Sequence, residues 1–207
     1  MVTRNSKAVS PCPKKFPSTA SFWPMGMVLL VCAALFVGCA AGDPKLAEAL
    51  ENIQNPDEAF RLQGINTLSS MGEKAKPHAD KVAALLKDDS AEMRGLAISL
   101  LGQLKHSSPE IVQELGAMAT GDKDNGVRAN ALETLAQLGA QDEFAKAGKA
   151  ILAGDDDTAF KGETIMIIEQ SGAGSVTALK AELEAIAGGS DEDLADAAKS
   201  ALKSLEQ

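Results

Sequence analysis

An apolar residue followed by a cation recurs along this chain every 33 or 34 residues. The recurring pairs are Phe60-Arg61, Met93-Arg94, Val127-Arg128 and Phe160-Lys161. Leu194 continues the apolar half of the pattern 34 residues further on, and Ala195 takes the position of the cation. A period of this length is typical of solenoids, in which each repeat is a helical hairpin that cannot bury its apolar face alone. The repeat therefore predicts stacked hairpins that share one core.

The residues within each repeat indicate helices. Apolar residues fall at the third, fourth, seventh and tenth positions after the cation, as in Ala131, Leu132, Leu135 and Leu138, and together they form one face of an α-helix. Tyrosine is absent and Trp23 is the single tryptophan, while good helix formers dominate after residue 44. We therefore expect an all-α fold, an α-solenoid of about four hairpin repeats and a closing helix.

Turn residues separate the predicted helices. In three of the repeats a glycine follows the longer predicted helix, where it suits a left-handed C-cap. In the second repeat Lys105 fills this position. Asp and Ser in the turns between repeats are suited to capping the next helix. Shorter helices are predicted at 79–86, 109–118, 144–152 and 176–186. The predicted order is an opening helix at 44–53, repeats at about 55–87, 88–121, 122–154 and 155–188, and a closing helix in 189–207.

The repeat unit resembles HEAT-type repeats, particularly the short HEAT-like class first named from phycobilisome lyases. The resemblance is carried by an Asp-rich turn, the apolar-Arg pair and an Ala-Leu-x-x-Leu-x-x-Leu-Gly run, best kept in residues 124–139. It covers roughly residues 44–207. Ankyrin and tetratricopeptide repeats have a similar period, but the chain lacks their signatures. The resemblance implies an α-solenoid whose second helix in each hairpin, the one that carries the apolar-Arg pair, lines the concave side.

Residues 1–38 are typical of a processing signal rather than of a folded segment. The first 24 residues contain four cations and no acid, and an uncharged run of thirteen residues follows from Met25 to Val37. That run is shorter than the roughly 20 residues of a membrane-spanning helix. The run also fits an ordinary signal peptide, or a short anchor that is not cleaved and in which Cys39 is a buried thiol.

The end of the run, Leu35-Phe36-Val37-Gly38-Cys39-Ala40, resembles the lipobox of bacterial lipoproteins. The resemblance implies that Cys39 becomes the mature N-terminus, carries a diacylglyceryl thioether and usually a further N-acyl chain such as palmitate, and that residues 39–43 form a tether. More than one acyl chain gives stable anchoring. We expect a lipid-anchored protein of the cell envelope. Since Ala40 replaces the Asp that retains enteric lipoproteins at the inner membrane, the periplasmic face of the outer membrane is favoured in a diderm. In other bacteria the outer face of the plasma membrane is expected.

Charge and residue types exclude several functions. Removing residues 1–38 takes away four of the 20 Lys and Arg and none of the 29 Asp and Glu, which leaves a net charge of −13. Such a surface argues against nucleic-acid binding. Cys39 would be the only remaining cysteine, and it is modified, so neither a disulfide nor a thiolate site is expected. The only two histidines, His78 and His106, lie in different repeats, and the acidic runs do not match a calcium loop.

Two groups of side chains are candidates for specific roles. The cations Arg61, Arg94, Arg128 and Lys161 could bind anions, but because acidic turns adjoin every copy, we expect them to form a structural ladder that pairs with Asp in neighbouring turns. The second group projects from the concave side predicted above, where amides and hydroxyls could bond a peptide backbone. Its members are Gln63, Asn66, Ser70, Ser99, Gln103, Asn130, Glu133, Gln137, Glu163, Met166 and Gln170.

The sequence thus predicts a non-enzymatic, membrane-anchored module that binds a protein or peptide and is monomeric, with no cofactor and no metal. No set of residues for nucleophilic catalysis or phosphate binding can be assembled. The alternative is an enzyme, or an enzyme subunit, similar to the HEAT-like relatives that attach tetrapyrroles to proteins. Export through a secretory signal and the scarcity of aromatic residues argue against this alternative.

Overall fold

The computed structural model describes residues 43–206, in which all regular structure is helical. The predicted leader and Cys39 lie outside the described residues. The α-helices are α1 (Pro44–Asn52), α2 (Glu58–Met71), α3 (Ala79–Ala83), α4 (Ala91–Gln103), α5 (Pro109–Gly121), α6 (Asn125–Gln137), α7 (Gln141–Ala153), α8 (Thr158–Gln170), α9 (Ala173–Ala178), α10 (Lys180–Ala187) and α11 (Glu192–Lys203). Short 3-10 segments cover Gly72–His78, Ala84–Lys87 and Ser204–Glu206.

The helices pack in two layers. One layer consists of α2, α4, α6, α8 and α11, each against the next, and we call it the long-helix layer. The other contains α1, α3, α5, α7, α9 and α10, and neighbouring members of the two layers form hairpins. The core between them is continuous, from Ala49 in α1 to Ala201 in α11. The prediction of an all-α solenoid is confirmed.

Acidic and small polar residues begin the long helices. The side chains of Asp57, Ser90, Asp124, Asp157 and Asp191 accept hydrogen bonds from backbone N–H groups in the first turns of α2, α4, α6, α8 and α11. Each side chain satisfies a donor that the helix leaves unpaired, and Asp adds negative charge at the positive end of the helix dipole. The turns therefore restart a helix in every repeat.

Residues with positive φ follow four of the long helices, α2, α4, α6 and α8. Gly72, Gly139 and Gly172 have φ angles of 54°, 72° and 96°. In the second repeat Lys105 itself adopts φ 51°, the only non-glycine residue with positive φ among residues 43–206. The N–H of Lys105 donates to Gly102 O and the N–H of His106 to Leu101 O, the same pair of bonds that Gly139 and Ala140 make. The same turn is thus built around lysine, at a cost in backbone strain.

We expect Lys105→Gly to raise the free energy of unfolding by about 0.5–1 kcal/mol, because glycine adopts positive φ without a Cβ clash. Urea denaturation followed by circular dichroism would measure the change. Gly139→Lys is the reciprocal control and should lower stability by a similar amount. A Lys105→Gly protein that is no more stable than the wild type would contradict the argument.

The shorter helices differ from the prediction at both ends of the array. The first, expected at 79–86, is an α-helix of five residues between 3-10 segments, and Pro77 in the preceding segment has no N–H to donate. The last, expected at 176–186, is divided at Leu179, where φ is −112° and ψ is 17°. The middle copies, α5 and α7, are uninterrupted helices of thirteen residues.

Gly64 sets the distance between α1 and α2. A Cβ atom at this position would lie 2.8 Å from Ala49 O and 2.8 Å from the Ile53 N. Both neighbours are backbone atoms that cannot rotate away. Glycine in the third position after the cation therefore lets the opening helix approach α2 closely, where the later repeats carry Ala97, Ala131, Thr164 and Ala198.

Candidate functional site

Arg94 links the second repeat to the third through a buried ion pair. Its Nε and Nη2 donate to Asp122 Oδ2 and Oδ1 at 2.7 and 2.6 Å, a bidentate geometry. Its Nη1 donates to the carbonyl oxygens of Asp88 and Asp89. The side chains of Arg94 and Asp122 are only 6% and 8% exposed. The guanidinium group therefore holds two successive turns together and is not available to an external anion.

Arg128 and Arg61 repeat this arrangement. Arg128 pairs with Asp156, 28 residues later, through Nη1 and Nη2 at 2.7 and 2.9 Å, and its guanidinium lies 4.0 Å from the centre of the Phe160 ring. Arg61 pairs with Asp88, 27 residues later, through Nε at 2.8 Å. Each arginine thus reaches from the start of one long helix to the turn before the next.

Lys161 differs from the expectation of an aspartate partner. Its Nζ donates to Gly154 O at 2.6 Å, and no carboxylate of residues 43–206 lies within ion-pair distance of it. The reason lies in the next turn: Gly189 and Ser190 stand just before the cap Asp191, whereas Asp88, Asp122 and Asp156 stand one or two residues before the caps Ser90, Asp124 and Asp157. The fourth cation therefore ties α8 to the turn before it, not to the turn after it.

The ion pairs shift the titration of their members. The hydrogen bonds that Arg94 donates to the Asp122 carboxylate raise the pKa of Arg94 above its ordinary value. Burial acts to raise the pKa of Asp122, but the hydrogen bonds from Arg94 and from the Asp124 N–H outweigh it and hold that pKa below its usual value. The hydrogen bond from Arg128 lowers the pKa of Asp156 in the same way. The charged pairs are thus the stable forms at neutral pH.

The predicted binding residues lie on a single layer of the solenoid, on α2, α4, α6 and α8. Two of them, Ser99 and Asn130, are half-buried. The exposed members are Gln63, Asn66, Ser70, Gln103, Glu133, Gln137, Glu163, Met166 and Gln170. We call these eleven residues the amide face. That it is the concave side of the solenoid stays a prediction.

Three members of the amide face already bind other repeats. Asn130 Nδ2 donates to Gly95 O and to Ser99 Oγ, both at 2.9 Å, so this amide joins α6 to α4. Ser69 Oγ donates to Gln103 Oε1 at 3.1 Å. Ser99 and Asn130 therefore form contacts between repeats, and their role in binding a partner stays a prediction. Gln103 keeps its amide N–H groups for solvent or a partner.

A groove of about 350 Å³ runs between α6 and α8 on the amide face. Glu133, Gln137 and Gln170 line it, together with Ala136, Ile167 and Ser171. Gln137 and Gln170 make no side-chain hydrogen bond within residues 43–206, so this part of the chain leaves their amides unpaired beside the groove. Sequence reasoning missed Ile167 and Ala136 because it considered the second, fifth and ninth positions after the cation, whereas these residues stand at the sixth and eighth.

Other depressions lie elsewhere on the described chain. Gln63 and Ser70 line a groove of about 340 Å³ between α2 and α1. No residue of α1 was predicted to belong to the site. A larger depression, of about 490 Å³, lies between the starts of α5 and α7 and contains no residue of the amide face. It is bordered by Val112, Leu138 and Asp142, among others. We favour the groove between α6 and α8, since it combines unpaired amides with a position on the predicted face.

The described residues hold no group of three or more histidine, cysteine or acidic side chains that could bind a metal. None of the helices in 43–206 has both the length and the apolar composition needed to cross a bilayer. Of the three phenylalanines in this part of the chain, Phe144 and Phe160 lie in the core and Phe60 is exposed.

Comparison with known proteins supports the repeat architecture. The sequence from residue 79 to 166 matches the family model of HEAT repeats. The crystal structure of an engineered protein from the Northeast Structural Genomics Consortium superposes with a TM-score of 0.52 at 15% identity, and the match covers 79% of this chain and 80% of that one. No curated protein matches the chain significantly. The chain is therefore an all-α solenoid in which residues 79–166 are similar in sequence to HEAT repeats.

Proposed function

We propose that this protein is a membrane-anchored, extracytoplasmic scaffold that binds a protein or peptide along its amide face and catalyses no reaction. The lipid on Cys39 holds it in the cell envelope, and residues 39–43 connect the anchor to α1. The solenoid acts as a monomer and presents the amide face to its partner.

The observation that supports this proposal is a contrast between two groups of side chains, the structural ladder of cations and the amide face. The arginines form ion pairs inside the solenoid. The side chains of Gln137 and Gln170, by contrast, are exposed and have no hydrogen-bond partner among residues 43–206. Amide groups both donate and accept, which matches the backbone of an extended peptide. The HEAT-type repeats of residues 79–166 support a role in protein interaction, since solenoids bind through extended surfaces spread over several repeats.

Photo-crosslinking in cells tests the proposal. The full chain carries p-benzoylphenylalanine in place of Gln137, and the matched control carries it in place of Gln113, an exposed glutamine of α5 in the other layer. We expect a discrete crosslinked partner from position 137 and not from position 113. Equal crosslinking from both positions, or none from position 137, would contradict a binding role for the amide face.

The same strains test the anchor. Cys39→Ala should abolish the incorporation of a labelled fatty acid into the protein, since lipidation requires the cysteine. It should also reduce the crosslink from position 137 if the partner is itself in the membrane. A Cys39→Ala protein that still incorporates the labelled fatty acid would refute the lipoprotein assignment without touching the amide face.

A further inference from the structure

Met166 breaks the polar character of the amide face. The fifth position after the cation holds Asn66, Ser99 and Glu133 in the first three repeats and Met166 in the fourth. Its side chain is 51% exposed, and it and Phe60 are the exposed large apolar residues of the described chain. A methionine adapts its shape to different partners, which suits it to a binding surface. It directly precedes Ile167, which lines the groove between α6 and α8.

Two carboxylates flank this methionine. Glu163 is three residues earlier on α8, one turn along the same side of the helix. Glu133 occupies on α6 the position that Met166 occupies on α8, and it lines the groove between these two helices. Packed helices lie about 8–10 Å apart, so an extended peptide of a few residues spans both carboxylates.

Neither Glu133 nor Glu163 has a cationic partner inside the described chain. The ion pairs of residues 43–206 that involve glutamate use others, namely Glu73, Glu114, Glu143, Glu182 and Glu184. None of the eleven residues of the amide face is a lysine or arginine. The groove and the exposed Met166 and Glu163 of α8 beside it therefore combine an apolar contact with negative charge that no cation among residues 43–206 pairs with.

We propose that this groove takes an extended peptide segment in which an apolar side chain stands between lysines or arginines. The apolar side chain packs on Met166, the cations pair with Glu133 and Glu163, and the peptide backbone bonds the amides of Gln137 and Gln170. This inference rests on the proposed binding function and adds the chemistry of the partner. Charge complementarity sets the selectivity, because an acidic segment would place like charges together.

Three photo-reactive peptides test this chemistry on the full chain in detergent. Each carries photo-leucine in a Gly-Ser context, flanked by two lysines, two glutamates or two serines, and mass spectrometry maps the crosslinked residues. We expect the lysine peptide to label α6 and α8 at the groove, and the other two to label it at least about tenfold less. Equal labelling by the glutamate peptide, or lysine-peptide labelling spread over the surface, would overturn the proposal.

Variants assign the effect to the named side chains. Glu133→Gln with Glu163→Gln, and separately Met166→Ser, should each reduce labelling by the lysine peptide about tenfold. Glu110→Gln, which removes an exposed carboxylate of α5 in the other layer, should leave it unchanged. All of these side chains are exposed, so the variants keep the helical circular dichroism spectrum of the wild type. Unchanged labelling in the double variant would refute the role of the two carboxylates.

Failure of this inference differs from failure of the proposed function. If position 137 captures a partner in cells and the double variant captures it equally well, the amide face binds its partner but the two carboxylates do not select it. If position 137 captures nothing in the wild type, the proposed function itself is wrong.

Discussion

Asp122→Asn is expected to lower the free energy of unfolding by about 3–5 kcal/mol, because it leaves the buried guanidinium of Arg94 without its counter-charge. Arg94 also bonds the carbonyls of Asp88 and Asp89, so it cannot move to solvent without releasing the turn before α4. Asparagine keeps the shape of aspartate and can still accept the N–H of Asp124. Urea denaturation followed by circular dichroism gives the change at neutral pH.

Glu114→Gln is the matched control for this prediction. Glu114 pairs with Lys87 at 3.7 Å, and the side chains are 37% and 75% exposed. An exposed pair of this kind contributes about 0–1 kcal/mol, since water already solvates both charges. If Asp122→Asn costs no more than Glu114→Gln, the ladder does not hold the repeats together as argued above.

The dependence of the free energy of unfolding on acidic pH gives a second test of the ion pair between Arg94 and Asp122. Because the folded-state pKa of Asp122 lies below the ordinary value of 3.8, its contribution is fully present well above pH 3.8 and is lost as the pH falls through the folded pKa. The wild type and Asp122→Asn should therefore differ most at neutral pH and converge at lower pH. A difference that stays constant down to the acid limit would show that the charge of Asp122 is not what stabilises the fold.

The period of the sequence predicts most of the fold because every repeat solves the same local problem. Helix starts at Asp124 and Asp157 and helix ends at Gly139 and Gly172 depend on residues within one turn, so they can be identified from sequence. The division of α9 from α10 at Leu179 could not. No glycine or proline stands at that position, and the break becomes visible only when the neighbouring helices are in place.

The site is harder to predict from sequence than the fold. The cation ladder was expected, but the turn 155–157 offers three aspartates, and only the packed structure selects Asp156 as the partner of Arg128. The amide face was identified by its position in the repeat, yet position alone does not separate a free amide from a bonded one. Asn130 and Gln137 lie two turns apart on one helix, and of the two only Asn130 hydrogen-bonds to the preceding repeat.

Phe160→Ala is expected to lower the free energy of unfolding by about 3–5 kcal/mol, whereas Phe60→Ala at the equivalent position of the first repeat should cost less than about 1 kcal/mol. The ring of Phe160 is 2% exposed and that of Phe60 is 47% exposed. Removing the buried ring opens a cavity and also leaves the Arg128 guanidinium without the aromatic face 4.0 Å away. Urea denaturation of both variants provides the comparison.

The two rings differ in burial because of how the repeats stack on one another, not because of the residue type, which is the same. The repeat before Phe160 supplies Arg128, which covers its ring, while no described repeat precedes Phe60. Phe160→Leu separates the two contributions, because leucine refills most of the cavity but offers no aromatic face. It should recover most of the loss and leave a deficit of about 0.5–2 kcal/mol, the range of a cation–π contact. Equal costs for Phe60→Ala and Phe160→Ala would mean that burial between successive repeats does not stabilise this solenoid.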